Sequence, residues 1–123
     1  MSITVYGISN CDTVRKARGW LDGLGLSYRF HDYKKHGADE GKLKDWVAAR
    51  GWETILNRRG PTFRNLPESE RADLDEARAI ALMGTHTSAI KRPIVEYDHA
   101  DGEGLLVGFD EQEWSTALGG ALT

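Results

Sequence analysis

The sequence has very little cysteine, since one residue of 123, Cys11, is of that type. A single cysteine cannot form an internal disulfide, and it excludes the Cys-x-x-Cys motif of dithiol redox proteins. A fold without disulfides fits a reducing compartment. A phosphate loop of the Cys-x5-Arg kind is excluded too, because Ala17 stands where the arginine would be. The histidines lack the spacing of a zinc site; they are His31, His36, His86 and His99.

Long apolar runs and an excess of positive charge are also absent. No 18 apolar residues follow one another, and no basic stretch with an apolar core opens the chain, so we expect neither a membrane span nor a signal peptide. Sixteen Lys and Arg residues against nineteen Asp and Glu residues give a net charge of −3. That balance argues against nucleic acid as a partner. We therefore expect one domain over residues 1–123 of a monomeric, cytoplasmic protein.

Apolar periodicity predicts an α/β fold. Alternating runs predict strands at 3–6, 28–33, 94–97 and 105–109. Helical spacing, with Leu24 at the end of the first buried stripe, predicts helices at 12–24, 39–50, 75–83 and 110–118. Shorter helical turns are expected at 52–56 and from Pro67, a loop at 34–38 and a turn at 98–103.

The predicted order is β-α-β, a helical insertion over about residues 39–83, and then β-β-α. This is the arrangement of a thioredoxin-like domain, a mixed sheet with a reactive cysteine after its first strand. Such a domain typically has a cis-proline beside the cysteine at the start of its third strand. Pro93 is the candidate for that residue in this sequence.

Cys11 lies where the first predicted strand gives way to the first predicted helix. The unpaired N–H groups and the dipole of a helix N-terminus lower the pKa of a thiol and favour the nucleophilic thiolate. The alternative is that Cys11 is a small buried apolar residue. Asn10 and Thr13 flank it and are candidates for helix capping or for hydrogen bonds to a thiolate. The negative charge of Asp12 is expected to oppose the lowering of the pKa.

Positive charge is concentrated in two loops of this otherwise acidic chain, at Arg58, Arg59, Arg64, Lys91 and Arg92. If both loops flank Cys11, their guanidinium groups would bind a carboxylate or an oxyanion and stabilise a thiolate. The other interpretation of Arg58, Arg59 and Arg64 is that they are solvated loop charges.

Five stretches of the sequence resemble, in the same order, the ArsC/Spx family of thioredoxin-like arsenate reductases, and most closely its YffB-like branch. They are residues 6–13, 30–33, 51–53, 56–64 and 90–93. The resemblance implies that Cys11 is the nucleophile and that Arg92, directly before Pro93, binds an oxyanion. Arg58 and Arg59 adjoin a second arginine position of the family. The resemblance also implies glutathione as a co-substrate, glutaredoxin as a possible partner, and no bound cofactor.

The sequence departs from the arsenate reductases at several positions. Of their three oxyanion-binding arginines only Arg92 is in register, since Asn57 and either Val107 or Gly108 occupy the other two positions, and Gly7 replaces a histidine upstream of the cysteine. Three functions therefore stay open: a glutathione-dependent thiol reductase, a glutaredoxin-coupled arsenate reductase, and an Spx-like regulator that binds a protein such as RNA polymerase. Spx-type regulators often carry Cys-x-x-Cys, whose second position is Val14 here.

Overall fold

The computed structural model describes residues 2–99 and 102–119. Its elements are β1 (Ser2–Gly7), α1 (Asp12–Gly23), β2 (Arg29–Asp32), α2 (Tyr33–His36), α3 (Glu40–Arg50), α4 (Trp52–Ile55), α5 (Pro61–Arg64), α6 (Glu68–Arg71), α7 (Glu76–Thr85), a 3-10 turn (Thr87–Ala89), β3 (Ile94–His99), β4 (Gly102–Val107) and α8 (Glu111–Leu118). The predicted order, β-α-β, helices and then β-β-α, is confirmed, and the fold is the thioredoxin-like α/β arrangement.

The chain divides into two compact units. The first contains the described residues up to Asp32 and from Arg92 onward, and the second is Tyr33–Lys91. The predicted insertion, residues 39–83, lies inside the second unit. A single domain over residues 1–123 stays a prediction.

A four-stranded sheet in the order β2-β1-β3-β4 forms the centre of the first unit. β1 pairs with β2 in parallel and with β3 antiparallel, and β3 and β4 form an antiparallel hairpin. One face of this sheet packs against α1 and α8. The buried residues of that core are Ile3, Val5, Ala17, Leu21, Val95, Leu106, Trp114 and Leu118.

Aromatic rings lock α8 to α1 and to the end of β4. Trp114 packs edge-on against Trp20 and Phe109, with ring centroids 5.9 and 4.8 Å away. Its indole N–H donates a hydrogen bond of 3.1 Å to the carbonyl of Gly108. Asp110 caps α8 by accepting from the N–H of Glu113 at 2.9 Å. These contacts fix α1, the helix that carries Cys11 at its start, on the sheet.

The second unit is helical, and residues 39–83 contain no strand, as predicted. Asp39 caps α3 by accepting from the N–H of Lys42 at 3.0 Å, and α3 packs on α4 and α7. Its buried residues include the predicted stripe residues of both long helices, Leu43, Trp46, Val47, Ala79, Leu82 and Met83. An isolated β-bridge joins Leu56 to Ile90. Throughout the described residues, every helix is too short or too polar to span a membrane.

Three local predictions are wrong. Leu24 is exposed (40%) rather than buried, because α1 ends at Gly23 and the chain turns at Gly25, whose φ is +70°. The predicted loop at 34–38 begins with the helical turn α2. In that turn the N–H of Gly37 donates a hydrogen bond of 2.8 Å to the backbone carbonyl of Tyr33, whose side chain is buried.

The predicted turn at 98–103 is also too long. Asp98 pairs with Glu103, and His99 pairs with Gly102, so β3 and β4 extend further than the apolar alternation indicates. Backbone pairing continues there although the side chains are polar. The other two residues of the predicted turn, 100 and 101, lie outside the described residues.

Candidate active site

Cys11 stands at the junction of β1 and α1, as the sequence predicts. It occupies the N-cap position of α1 with an extended backbone (φ −147°, ψ 124°), and its carbonyl accepts a hydrogen bond from the N–H of Arg15 at 2.9 Å. Its side chain is partly exposed. The capping role considered for Asn10 is wrong, because Cys11 itself is the cap residue. The thiol is therefore at a helix N-terminus and within reach of solvent.

Several groups act on the pKa of the Cys11 thiol, and their net effect lowers it below its ordinary value of 9.0. Partial burial raises the pKa and is the largest single effect. The N–H of Val14, the hydrogen bond and positive charge of Arg92, and the N–H of Thr13 together outweigh it. Although the thiol makes no regular capping hydrogen bond, these donors stabilise a negative sulfur.

Arg92 reaches Cys11 from the segment before β3. Its guanidinium hydrogen-bonds the Cys11 sulfur, and the residue is half-buried. The Arg92–Pro93 peptide bond is cis, which confirms the prediction for Pro93. Pro93 is buried, and its carbonyl accepts a hydrogen bond from the N–H of Gly108 at 2.8 Å. The start of β3 is thereby anchored to the end of β4.

Arg15 is a site residue that the sequence analysis missed. Its guanidinium donates to the Asp12 carboxylate at 2.6 Å and to the Asn10 side-chain oxygen at 2.7 Å. One side chain thus joins the residues on both sides of Cys11. The charge of Asp12, which would disfavour a thiolate, is paired with Arg15. Its position three residues after Asp12 in a predicted helix was the available signal.

Gly7, at the end of β1, lies under the first turn of α1. A Cβ atom at this position would be 2.9 Å from Cγ2 of Val14, closer than packed carbon atoms approach. The histidine that the arsenate reductases carry here would therefore require the Val14 side chain or α1 to shift. Gly7, which stands in place of that histidine, thus allows β1 and α1 to pack closely.

The structure brings Thr13 and Arg92 to the Cys11 sulfur, and Pro93 directly follows Arg92 in the first unit. Arg58 and Arg59 belong to the second unit. Arg58 pairs with Glu53 at 3.6 Å and lies 5.5 Å from the centre of the Trp52 ring. Both arginines are exposed, and their part in anion binding stays a prediction.

The Asn57 loop has a clear local structure. The side-chain oxygen of Asn57 accepts a hydrogen bond from the N–H of Arg59 at 3.2 Å, and its own N–H donates to the carbonyl of Ala89 at 2.8 Å. An asparagine in this geometry shapes the turn through its side chain. Asn57 therefore shapes this turn at the position where the arsenate reductases have an arginine.

In the first unit, a thiolate nucleophile at Cys11 would stand beside the positively charged guanidinium of Arg92. A guanidinium binds carboxylates and oxyanions through paired N–H groups. A thiolate attacks a sulfur atom of a disulfide, or the electrophilic central atom of an oxyanion. Within the residues that the structure describes, no group of three His, Cys, Asp or Glu side chains could hold a metal ion.

Comparisons with known proteins agree on one family. A sequence model of the ArsC family matches residues 6–117. The solved structure of a YffB protein is 50% identical, with a TM-score of 0.89, over 95% of this chain and 99% of that one. An arsenate reductase (ArsC) related protein from Brucella melitensis is 45% identical, with a TM-score of 0.71, over 94% and 93% of the two chains.

The curated relatives extend the comparison. A protein of Haemophilus influenzae, whose description states no function, is 40% identical over 94% of this chain and 98% of its own. At greater distance, the global transcriptional regulator Spx of Streptococcus mutans is 25% identical over 90% of this chain and 79% of its own. The sequence is thus related to both arsenate reductase-like proteins and Spx regulators.

Proposed function

This chain belongs to the ArsC family, and from that premise we propose that it is a glutathione-dependent thiol oxidoreductase with Cys11 as its nucleophile. The observation that carries the proposal is the arrangement at the start of α1, where the Arg92 guanidinium and the N–H groups of Thr13 and Val14 are directed at the sulfur of a partly exposed Cys11. A structural cysteine has no need of a guanidinium and two helix N–H groups directed at its sulfur. Membership in a family with arsenate reductase-like members supports an oxidoreductase.

The proposed reaction proceeds in two balanced exchanges. The Cys11 thiolate attacks a sulfur of a disulfide that contains glutathione; an S–S bond forms to Cys11, the substrate S–S bond breaks, and its electron pair leaves with the other thiolate. A second glutathione thiolate, or a glutaredoxin thiol, then attacks the Cys11 mixed disulfide and releases the enzyme as a thiolate. Because the chain has one cysteine, this second thiol has to come from another molecule.

Arg92 is the residue of the first unit that we assign to glutathione binding. Glutathione carries two carboxylates, and the planar guanidinium fork fits a carboxylate with two parallel hydrogen bonds. The same guanidinium lies at the sulfur of Cys11. A carboxylate held there would place the glutathione sulfur near the nucleophile.

Two alternatives have particular support. Arsenate reduction is favoured by the guanidinium at the thiol and by the arsenate reductase-related relative from Brucella melitensis. A regulatory role is favoured by the Spx relatives. We prefer the thiol reductase because of the number of arginines at the site. The arsenate reductases bind their oxyanion with three arginines, whereas the first unit of this chain places the guanidinium of Arg92 beside Cys11.

The proposal is tested by mass spectrometry of the intact protein after treatment with oxidised glutathione. We expect a single addition of one glutathione, at Cys11, and none in Cys11→Ser. Arg92→Ala should weaken saturation by glutathione about ten- to a hundredfold, the value of losing charge-assisted hydrogen bonds to a carboxylate. Arg71→Ala, which removes an exposed arginine of the second unit, is the matched control and should behave as wild type.

If the wild-type protein forms no adduct while iodoacetamide still alkylates Cys11, glutathione is the wrong partner. In that case turnover with arsenate, or capture of a protein partner, would favour one of the two alternatives. Equal saturation of wild type and Arg92→Ala would contradict the role assigned to Arg92.

A further inference from the structure

Two segments of the second unit contain basic residues and no acidic ones. Residues 54–67 include Arg58, Arg59 and Arg64, and residues 79–91 include Lys91; neither segment has an Asp or a Glu. Both segments lie wholly within the second unit. Positive charge is therefore concentrated here in a chain whose net charge is −3.

The backbone holds these two segments side by side. An isolated antiparallel bridge joins Leu56 to Ile90. The N–H of Lys91 donates a hydrogen bond of 2.8 Å to the carbonyl of Ile55. α5, which ends at Arg64, packs against the 3-10 turn that precedes Lys91. The basic residues of both segments are thus neighbours within one compact unit.

Four exposed cations make up what we call the basic surface: Arg58, Arg59, Arg64 and Lys91. Arg58 pairs with Glu53 at 3.6 Å. A second carboxylate, that of Glu70, reaches the same segments and contacts His86 at 3.4 Å. The side chains of the other three cations make no ion pair with any residue that the structure describes. The basic surface therefore has an excess of positive charge that an anionic ligand would complement.

The kind of anion is indicated by Trp52, which is half-buried. The guanidinium of Arg58 lies over the Trp52 ring, 5.5 Å from its centre. Proteins that bind single-stranded nucleic acids stack bases on exposed aromatic rings, and here the guanidinium already occupies a face of the ring. The net negative charge of the chain also opposes the long-range attraction of a polyphosphate. Tryptophan and arginine together are typical of the central residues of protein–protein interfaces.

We propose that the basic surface binds an extended, acidic segment of a partner protein. Carboxylates of that segment pair with Arg59, Arg64 and Lys91, and another replaces Glu53 as the partner of Arg58. In an extended chain every second side chain lies on the same side, about 7 Å apart, so alternating acidic residues present a row of carboxylates to these long side chains. The proposal concerns binding by the second unit and does not depend on thiol exchange at Cys11.

The test is fluorescence anisotropy with labelled ten-residue peptides and the full-length protein at low salt. One peptide consists of Glu–Ser repeats and the matched peptide of Gln–Ser repeats. We expect the Glu peptide to bind roughly tenfold more tightly, and the difference to shrink as salt is added, because exposed charges are screened. Oligothymidine with the same number of negative charges should bind more weakly than the Glu peptide.

The variants assign the binding to the basic surface. Arg59→Gln and Lys91→Gln should each weaken binding of the Glu peptide about two- to fivefold. Lys44→Gln is the matched control, since it removes an exposed cation of the same unit that pairs with Glu40 on α3, and it should bind as wild type. Glu53→Gln should tighten binding about twofold, because it releases Arg58 from its carboxylate. Loss of folding could not produce that gain.

Three results would overturn the proposal. They are equal affinities for the Glu and Gln peptides, a loss in Lys44→Gln as large as that in Lys91→Gln, and tighter binding of the oligothymidine than of the Glu peptide. The last result would assign the basic surface to a nucleic acid. Circular dichroism spectra of Arg59→Gln and Lys91→Gln that match wild type show that these variants are folded.

Discussion

At the scale of single residues, two arginines lie near Cys11 and make different contacts. Arg92 hydrogen-bonds the Cys11 sulfur and adds a positive charge to it. Arg15 instead holds the residues on either side, through Asp12 at 2.6 Å and Asn10 at 2.7 Å. We expect it to position the thiol, because its contacts are to the neighbours of Cys11.

The role of Arg15 can be measured in the reactivity of Cys11. In Arg15→Ala the Asp12 charge is left unpaired next to the thiol and the loop loses its link, so the thiolate is less favoured. We expect the rate of alkylation by iodoacetamide at pH 7 to fall two- to fivefold, and its pH profile to move to higher pH. The measurement is the pseudo-first-order rate between pH 5 and 10.

Lys16→Ala is the control for this experiment, since Lys16 is exposed and adjacent in sequence. A purely structural role for Arg15 would lower the melting temperature without moving the pH profile. That outcome would contradict positioning of the thiol.

At the scale of elements, the site depends on the close contact between β1 and α1 at Gly7 and Val14. A methyl group on Gly7 would overlap Cγ2 of Val14 at 2.9 Å, so Gly7→Ala should destabilise the protein by about 1–3 kcal/mol.

Gly19, in the middle of α1, has open space around its Cα, and Gly19→Ala should stabilise the protein by about 0.5–1 kcal/mol. Urea denaturation of both variants checks these signs. Equal stability of Gly7→Ala and wild type would show that Val14 and α1 can adjust to the added methyl group without cost.

The sequence predicts those elements whose side chains alternate or repeat clearly. α3, with Leu43, Trp46 and Val47 buried, was predicted because its apolar positions repeat at the helical period. The turn α2 was not, since a four-residue turn with one buried side chain, that of Tyr33, has no repeating apolar pattern. The short helix α5, with Pro61 in its first turn, was missed for a similar reason.

The site also has features that the local sequence predicts and features that it does not. The position of Cys11 at a strand–helix junction follows from local pattern. The approach of Arg92, distant in sequence, depends on how β1 and β3 pair, and it was expected from the family resemblance rather than from any local signal. The contacts of Arg15 with Asp12 and Asn10 require side-chain rotamers, which a helical spacing permits but does not specify.

At the scale of the whole molecule, the single cysteine among 123 residues limits which redox cycle is possible. Since no second thiol of the chain can resolve a mixed disulfide at Cys11, the protein can turn over only with an external thiol. Such a cycle runs faster when a larger fraction of the Cys11 thiol is ionised, because the thiolate is the nucleophile. We therefore take as central that α1 and Arg92 lower the pKa of the Cys11 thiol and so favour its thiolate form.

The absorbance of the thiolate, followed against pH, tests this claim most directly. It is recorded for wild type and Arg92→Gln, with Cys11→Ser subtracted as the blank for the other titrating groups. The pKa of wild-type Cys11 should lie below 9.0, and Arg92→Gln should raise it, because the variant removes the charge that favours the thiolate. A wild-type pKa at or above 9.0, or one that Arg92→Gln leaves unchanged, would contradict the account.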